Sequence, residues 1–191
     1  MFEESKTDTE SNNNMKKPLV GIIMGSDSDL PVMQEAAKVL EELNVPFEIN
    51  IVSCHRVPHM IMEYATAAPD KGLKVIIAAA GGAAHLPGMT AAYTHLPVIG
   101  VPIKQKSLEG ADSLYAIVQM PPGVPVATMA INGARNAGIL AAQIVGIADP
   151  KVTKRLITFK KELVKKVEDM RKKLQKVGYK KRAQEITEGK R

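Results

Sequence analysis

Five short apolar runs, each followed by a longer stretch of helical periodicity, leave this chain few ways to fold. LVGIIM (19–24), FEINIV (47–52), VIIAAA (75–80), VIGV (98–101) and VATMAI (126–131) read as strands. Most are hydrophobic throughout, and a strand apolar on both sides must be covered on both sides, as in a parallel sheet. Between the first two, residues 30–43 place Val32, Met33, Ala36, Ala37, Val39 and Leu40 on one helical stripe, opened by the capping candidates Ser28 and Asp29. Further helices fit 58–68, 83–93, 111–119 and 133–147. Five βα units without a hairpin signal predict a three-layer αβα sandwich on a five-stranded parallel sheet, because right-handed crossovers lay helices on both faces. The order 2-1-3-4-5 is expected by analogy with other five-stranded doubly wound folds.

The ends differ from this middle. Residues 1–17 are rich in Ser, Asn, Thr and Glu with almost nothing to bury, and read as a disordered leader before a domain spanning 18–150. Residues 151–177 carry Val152, Leu156, Phe159, Leu163, Val167, Met170, Leu174 and Val177 at spacings of three and four, a long amphipathic helix whose stripe suits a neighbouring subunit. The net charge of +6 is unevenly placed: 16 Lys and Arg against 5 Asp and Glu give residues 151–191 a charge of +11, and +6 less +11 leaves the first 150 residues at −5. Basicity confined to a tail, with 4% aromatics and no Trp for base stacking, argues against nucleic acid as a partner. No run reaches the roughly 18 apolar residues of a membrane span, and the polar start is unlike a signal peptide, so a cytoplasmic protein without membrane partners is expected. A lone Cys54 forms no internal disulfide and makes a poor zinc site, so no metal is expected.

Ligands of an open parallel sheet bind beyond the carboxyl ends of its strands, which directs attention to three loops. The first is GSDSD (25–29), where free N–H groups at a helix start, the Ser26 and Ser28 hydroxyls and the Asp29 carboxylate suit a phosphate and ribose hydroxyls. Neither G-x-G-x-x-G nor G-x-x-x-x-G-K-[ST] occurs, so the ligand is read as a monophosphate rather than a dinucleotide or triphosphate. The second is SCHR (53–56): an imidazole ordinarily titrates at about 6.5, so His55 can take and give a proton, and Arg56 can grip a phosphate through two parallel bonds. The third is AAAGGAAHLPGM (78–89), whose small residues let a planar ligand approach the backbone and whose His85 adds a second titratable group. The stretch 107–123, bracketed by EG and PPG turns, is expected to supply a lid. A G-x-S-x-G elbow is lacking, which disfavours a serine hydrolase.

Together GSDSD, SCHR and AGGAAHLPGM, continued by LPVIGVP, DSLYAIVQMPPGVPVAT and NAGILAAQI, resemble the PurE family over about residues 18–147. The resemblance is to class I, the N5-carboxyaminoimidazole ribonucleotide mutases. It implies a flavodoxin-like domain in a homo-octamer with sites built from more than one subunit, a small ribonucleotide substrate and no cofactor. By motif it makes His55 the general acid–base, Arg56 a phosphate ligand and Ser26 and Asp29 substrate-binding residues. Ser28, Ser53, Gly82, His85 and Leu86 match positions lining the pocket. Cys54 stands where the family motif has Ala.

Three other readings compete with the mutase. A class II enzyme would carboxylate aminoimidazole ribonucleotide with free CO2, although an intact GGAAHLPG resembles class I. A flavodoxin-like carrier or nucleotide-binding module is permitted by the fold alone, but few aromatics are present to stack a flavin. A nucleic-acid protein working through the tail would show steep salt dependence.

Overall fold

In the computed structural model, which describes residues 17–189, strands and helices alternate in the order β1 (Val20–Met24), α1 (Leu30–Glu42), β2 (Phe47–Ile51), α2 (Pro58–Ala67), β3 (Val75–Gly81), α3 (Leu86–Tyr93), β4 (Val98–Ile103), α4 (Ala111–Val118), β5 (Ala127–Thr128) and α5 (Ala134–Gly146). Two further helices follow, α6 (Pro150–Val177) and α7 (Tyr179–Thr187). Every strand pairing is parallel. The order is β2-β1-β3-β4-β5, as expected.

Alternation along the central strands separates two cores. Val20, Ile22 and Met24 of β1, Val75, Ile77 and Ala79 of β3, and Ile99, Val101 and Ile103 of β4 pack with Met33, Val39 and Leu40 of α1 and the alanines of α5. Their neighbours in sequence, Ile23, Ile76, Ala78, Ala80 and Val98, point the other way onto Ile61 and Tyr64 of α2, Leu86 of α3 and Ile117 of α4. A period of two with both sets apolar therefore yields two buried faces. Glycine sets the closest approaches: a Cβ on Gly138 would stand 2.5 Å from Val39 Cγ1 and 2.8 Å from the Ala36 carbonyl oxygen, so α5 lies directly on the α1 backbone.

The outer strands depart from the all-apolar expectation. β2 is an edge strand whose Glu48 and Asn50 alternate with exposed Ile49 and Ile51. β5 pairs through only two residues, Ala127 and Thr128, rather than six. The third helix begins at Leu86 instead of residue 83, because Ala84 has φ +49°, outside the right-handed helical region, and a proline occupies the first turn. Residues 107–123 are less free than a lid: the buried Ser113 hydroxyl donates to the Ile103 carbonyl at 3.0 Å and Ile117 is in the core, which pins α4 to β4. Of the expected leader, residues 1–16 lie outside the described residues.

The amphipathic stripe of the tail is split. Val152 and Leu156 are buried in the α1–α5 core, and Arg155 donates to the Leu43 and Asn44 carbonyls, which ties the first turns of α6 to the end of α1. Further along, Leu163, Val167, Met170 and Leu174 are exposed. After Gly178, whose φ of +77° ends the helix, α7 was not anticipated from the sequence; Glu185 on it receives Arg182 at 3.0 Å and faces Lys173 of α6 at 3.6 Å. Among the described residues no helix is long and apolar enough to cross a membrane. Replacing Gly138 with Val forces α1 and α5 apart, and a loss of about 1–3 kcal/mol is expected as a lower urea midpoint with unchanged slope.

Candidate active site

Parallel pairing brings the carboxyl ends of β1, β2 and β3 to one edge, and the three loops of interest meet there. Arg56 makes the join. Its Nε donates to the Ser53 hydroxyl at 3.1 Å and its Nη2 to the Gly25 carbonyl at 2.8 Å, so a residue of the second loop grips the backbone of the first. Those bonds use two of the five guanidinium N–H groups and leave three for an incoming anion. The third loop joins through histidine: His55 Nε2 lies 2.7 Å from His85 Nδ1, and the rings meet edge to face at 83° with centroids 4.9 Å apart. One nitrogen donates and the other accepts, so the tautomer of each ring fixes that of the other.

The first turn is built differently from the sequence expectation. Neither Ser28 nor Asp29 caps α1 through its side chain; the cap lies upstream, where Ser26 Oγ accepts from the Ser28 N–H at 3.4 Å and donates to Asp27 at 3.1 Å. Ser28 turns its hydroxyl to the Asp29 carboxylate at 3.3 Å. The serine hydroxyls are thus held within the turn. Asp29 is only 5% exposed, and desolvation raises its carboxyl above the ordinary range, with the Ser28 hydrogen bond opposing and nearby Asp27 adding to the shift.

Gly25 and Gly82 border open space, with no atom within 4 Å of where a Cβ would stand. Gly82 has φ +63°, which a side chain would strain. His55, Arg56 and His85 are all exposed in the single chain, so the loops form an open shelf rather than a sealed chamber. Leu86 differs from the other pocket candidates: its side chain is 1% exposed within the core, leaving only its main chain to face the loop. Cys54 is also buried, and burial pushes its thiol up, which makes it a packed residue beside His55 rather than a nucleophile. The sequence reading missed Gln105, whose side chain fills the space a Cβ on Gly81 would need; it sits in a polar stretch after β4 with no motif to mark it.

Fold and site together define a flavodoxin-like α/β protein whose strand-end loops carry an imidazole pair beside a guanidinium. The AIR carboxylase family model matches residues 19–166, and the chain belongs to that family. It is similar to the N5-carboxyaminoimidazole ribonucleotide mutase of Thermotoga maritima, 58% identical over 163 residues that cover 85% of this chain and 95% of the relative. The phosphoribosylaminoimidazole carboxylase of Saccharomyces cerevisiae is 57% identical over 165 residues, 86% of this chain but 29% of the relative. The crystal structure of Treponema denticola PurE superposes with a TM-score of 0.72 at 29% identity, covering 82% of this chain and 98% of that one.

Because the Asp29 carboxyl is raised in the folded state, the protein holds its proton where the unfolded chain has lost it. Its ionisation therefore costs stability as pH rises through the folded value, and the cost vanishes below the unfolded one. Relative to Asp29→Asn, the natural protein should gain stability between about pH 7 and about pH 4, measured by urea unfolding of both proteins at each pH; a constant difference would remove the buried-carboxylate account.

Proposed function

We propose that this chain is an N5-carboxyaminoimidazole ribonucleotide mutase of de novo purine synthesis, which moves the carboxylate from N5 to C4 of 5-aminoimidazole ribonucleotide. The observation that carries the reading is the 2.7 Å contact of His55 with His85, set beside the Arg56 clamp on the first loop. The mutase reading is favoured over carboxylation with free CO2 because the similarity spans nearly the whole Thermotoga maritima mutase but only 29% of the Saccharomyces cerevisiae carboxylase.

In this mechanism the 5′-phosphate sits on the remaining Arg56 N–H groups and the serines of the first turn, and Asp29 accepts from the ribose. The N5–carboxylate bond breaks, its electron pair stays on nitrogen, and N5 takes a proton as CO2 leaves. The C4 carbon, made nucleophilic by the amino group, then attacks the trapped CO2 and gives up its proton. One proton is taken and one returned, and His55 serves both transfers. Its partner supports this: a proton received on His55 Nδ1 is balanced when Nε2 passes its own to His85 Nδ1, and the reverse shift restores the base. Holding CO2 beside C4 replaces a dilute encounter with a high effective concentration.

Such containment needs walls that the exposed shelf lacks, which supports assembly into the homo-octamer that the family resemblance implies; light scattering on the purified protein checks it. His55→Asn is expected to lower turnover by about 100-fold or more with substrate affinity retained, whereas Arg56→Ala should chiefly raise KM. The deciding assay follows the C4 product from N5-carboxyaminoimidazole ribonucleotide and, separately, from aminoimidazole ribonucleotide with bicarbonate. Faster conversion of the first is expected, and preference for the second would make the protein a carboxylase.

A further inference from the structure

At the opposite end of α1 from the candidate site lies a cavity of about 770 Å³ that the mutase reading leaves without a role. Its walls come from three helices: Glu42 and Leu43 at the end of α1, Arg135 at the start of α5, and Lys154, Phe159 and Lys166 along α6. With Lys151 and Arg155 it holds five cations against the carboxylates of Glu42 and Glu162. Glu42 is already taken, since Arg135 binds it through both terminal nitrogens at 3.2 and 2.7 Å. Arg155 is committed to the Leu43 and Asn44 carbonyls, which keeps the α6 wall in place. The ammonium groups of Lys151 and Lys154 form no hydrogen bond or ion pair among the described residues, whereas Lys166 acts electrostatically on Glu42 and stands one helical turn from Glu162. One wall is aromatic: Phe159 is partly buried against the core, with the Arg135 guanidinium 5.9 Å from its ring centroid.

We propose that this cavity binds a nucleotide, with its phosphates on Lys151 and Lys154 and its base against Phe159, which follows them along α6. The volume lies within the roughly 300–1,000 Å³ usual for small-molecule sites. Excess positive charge between helices calls for a multivalent anion, and a flat apolar wall beside it calls for a ring on that anion. The 13-residue α1 separates this cavity from Asp29 by about 20 Å at 1.5 Å per residue, so it is distinct from the substrate shelf.

Calorimetric titration of the full-length protein with ADP, pyrophosphate and adenosine tests the assignment. ADP should bind saturably, one per chain, more tightly than pyrophosphate, with adenosine weaker still. In the double variant Lys151→Glu, Lys154→Glu the ADP affinity should fall at least tenfold while turnover on the substrate is unchanged, and in Arg56→Ala the ADP affinity should persist. Absence of ADP binding at millimolar concentration overturns the proposal. So does binding that survives in the double variant but is lost in Arg56→Ala, which would locate it on the shelf. Pyrophosphate binding as tight as ADP removes the base contact and with it the nucleotide. A double variant that loses its assembly but keeps ADP affinity makes the cavity a subunit contact instead.

Discussion

A strand buried on both faces cannot return by a short hairpin within a purely parallel sheet; the chain must cross over through a helix and start again at the same edge. Everything chemical in this protein depends on that. Each crossover delivers the next carboxyl end to the edge where the previous one finished, so loops far apart in sequence become neighbours. His55 reaches His85 across 30 residues and Arg56 reaches Gly25 across 31. The helices that make this possible are held by alternating residues of β1, β3 and β4, and by glycines such as Gly138 that let helices touch backbone to backbone.

The edge itself is electrostatically economical. Arg56 uses two N–H bonds of one planar group to fasten the first and second loops, and the proposed mechanism gives the others to the substrate phosphate. The histidines couple proton positions, since a single N···N bond cannot be filled from both sides. Asp29 is held in a dry turn that disfavours its charge, with the Ser28 hydroxyl as its one side-chain donor, and in the proposed mechanism a ribose hydroxyl adds a second. In the proposed mechanism these features suit a phosphorylated, proton-exchanging ligand, and the shelf stays open to solvent in the single chain.

The basic helices at the end of the chain obey different rules. Only the first turns of α6 join the core; beyond them most apolar residues are exposed and lysines dominate. Folding that first part against α1 creates the cationic cavity, because Arg155 and Leu156 fix a helix rich in lysine over a surface where Glu42 is already neutralised. The excess charge is therefore a product of packing as well as of composition.

Apolar runs of the right length and the helical stripes between them were enough to read five βα units, the parallel sheet and the loops that would carry chemistry, since burial on two faces leaves a direct mark on residue type. The family resemblance then implied roles for Ser26, Asp29, His55 and Arg56 and matched His85 to a position lining the pocket. What the sequence could not carry were relations between residues. That Arg56 binds a backbone carbonyl, that the two histidines share a bond, that the serines of GSDSD turn inward, that Leu86 faces the core and that Gln105 fills the space beside Gly81 all depend on distances across the fold. Backbone carbonyls and polar side chains carry no periodic signature, and their partners are chosen only when the crossovers set the loops side by side.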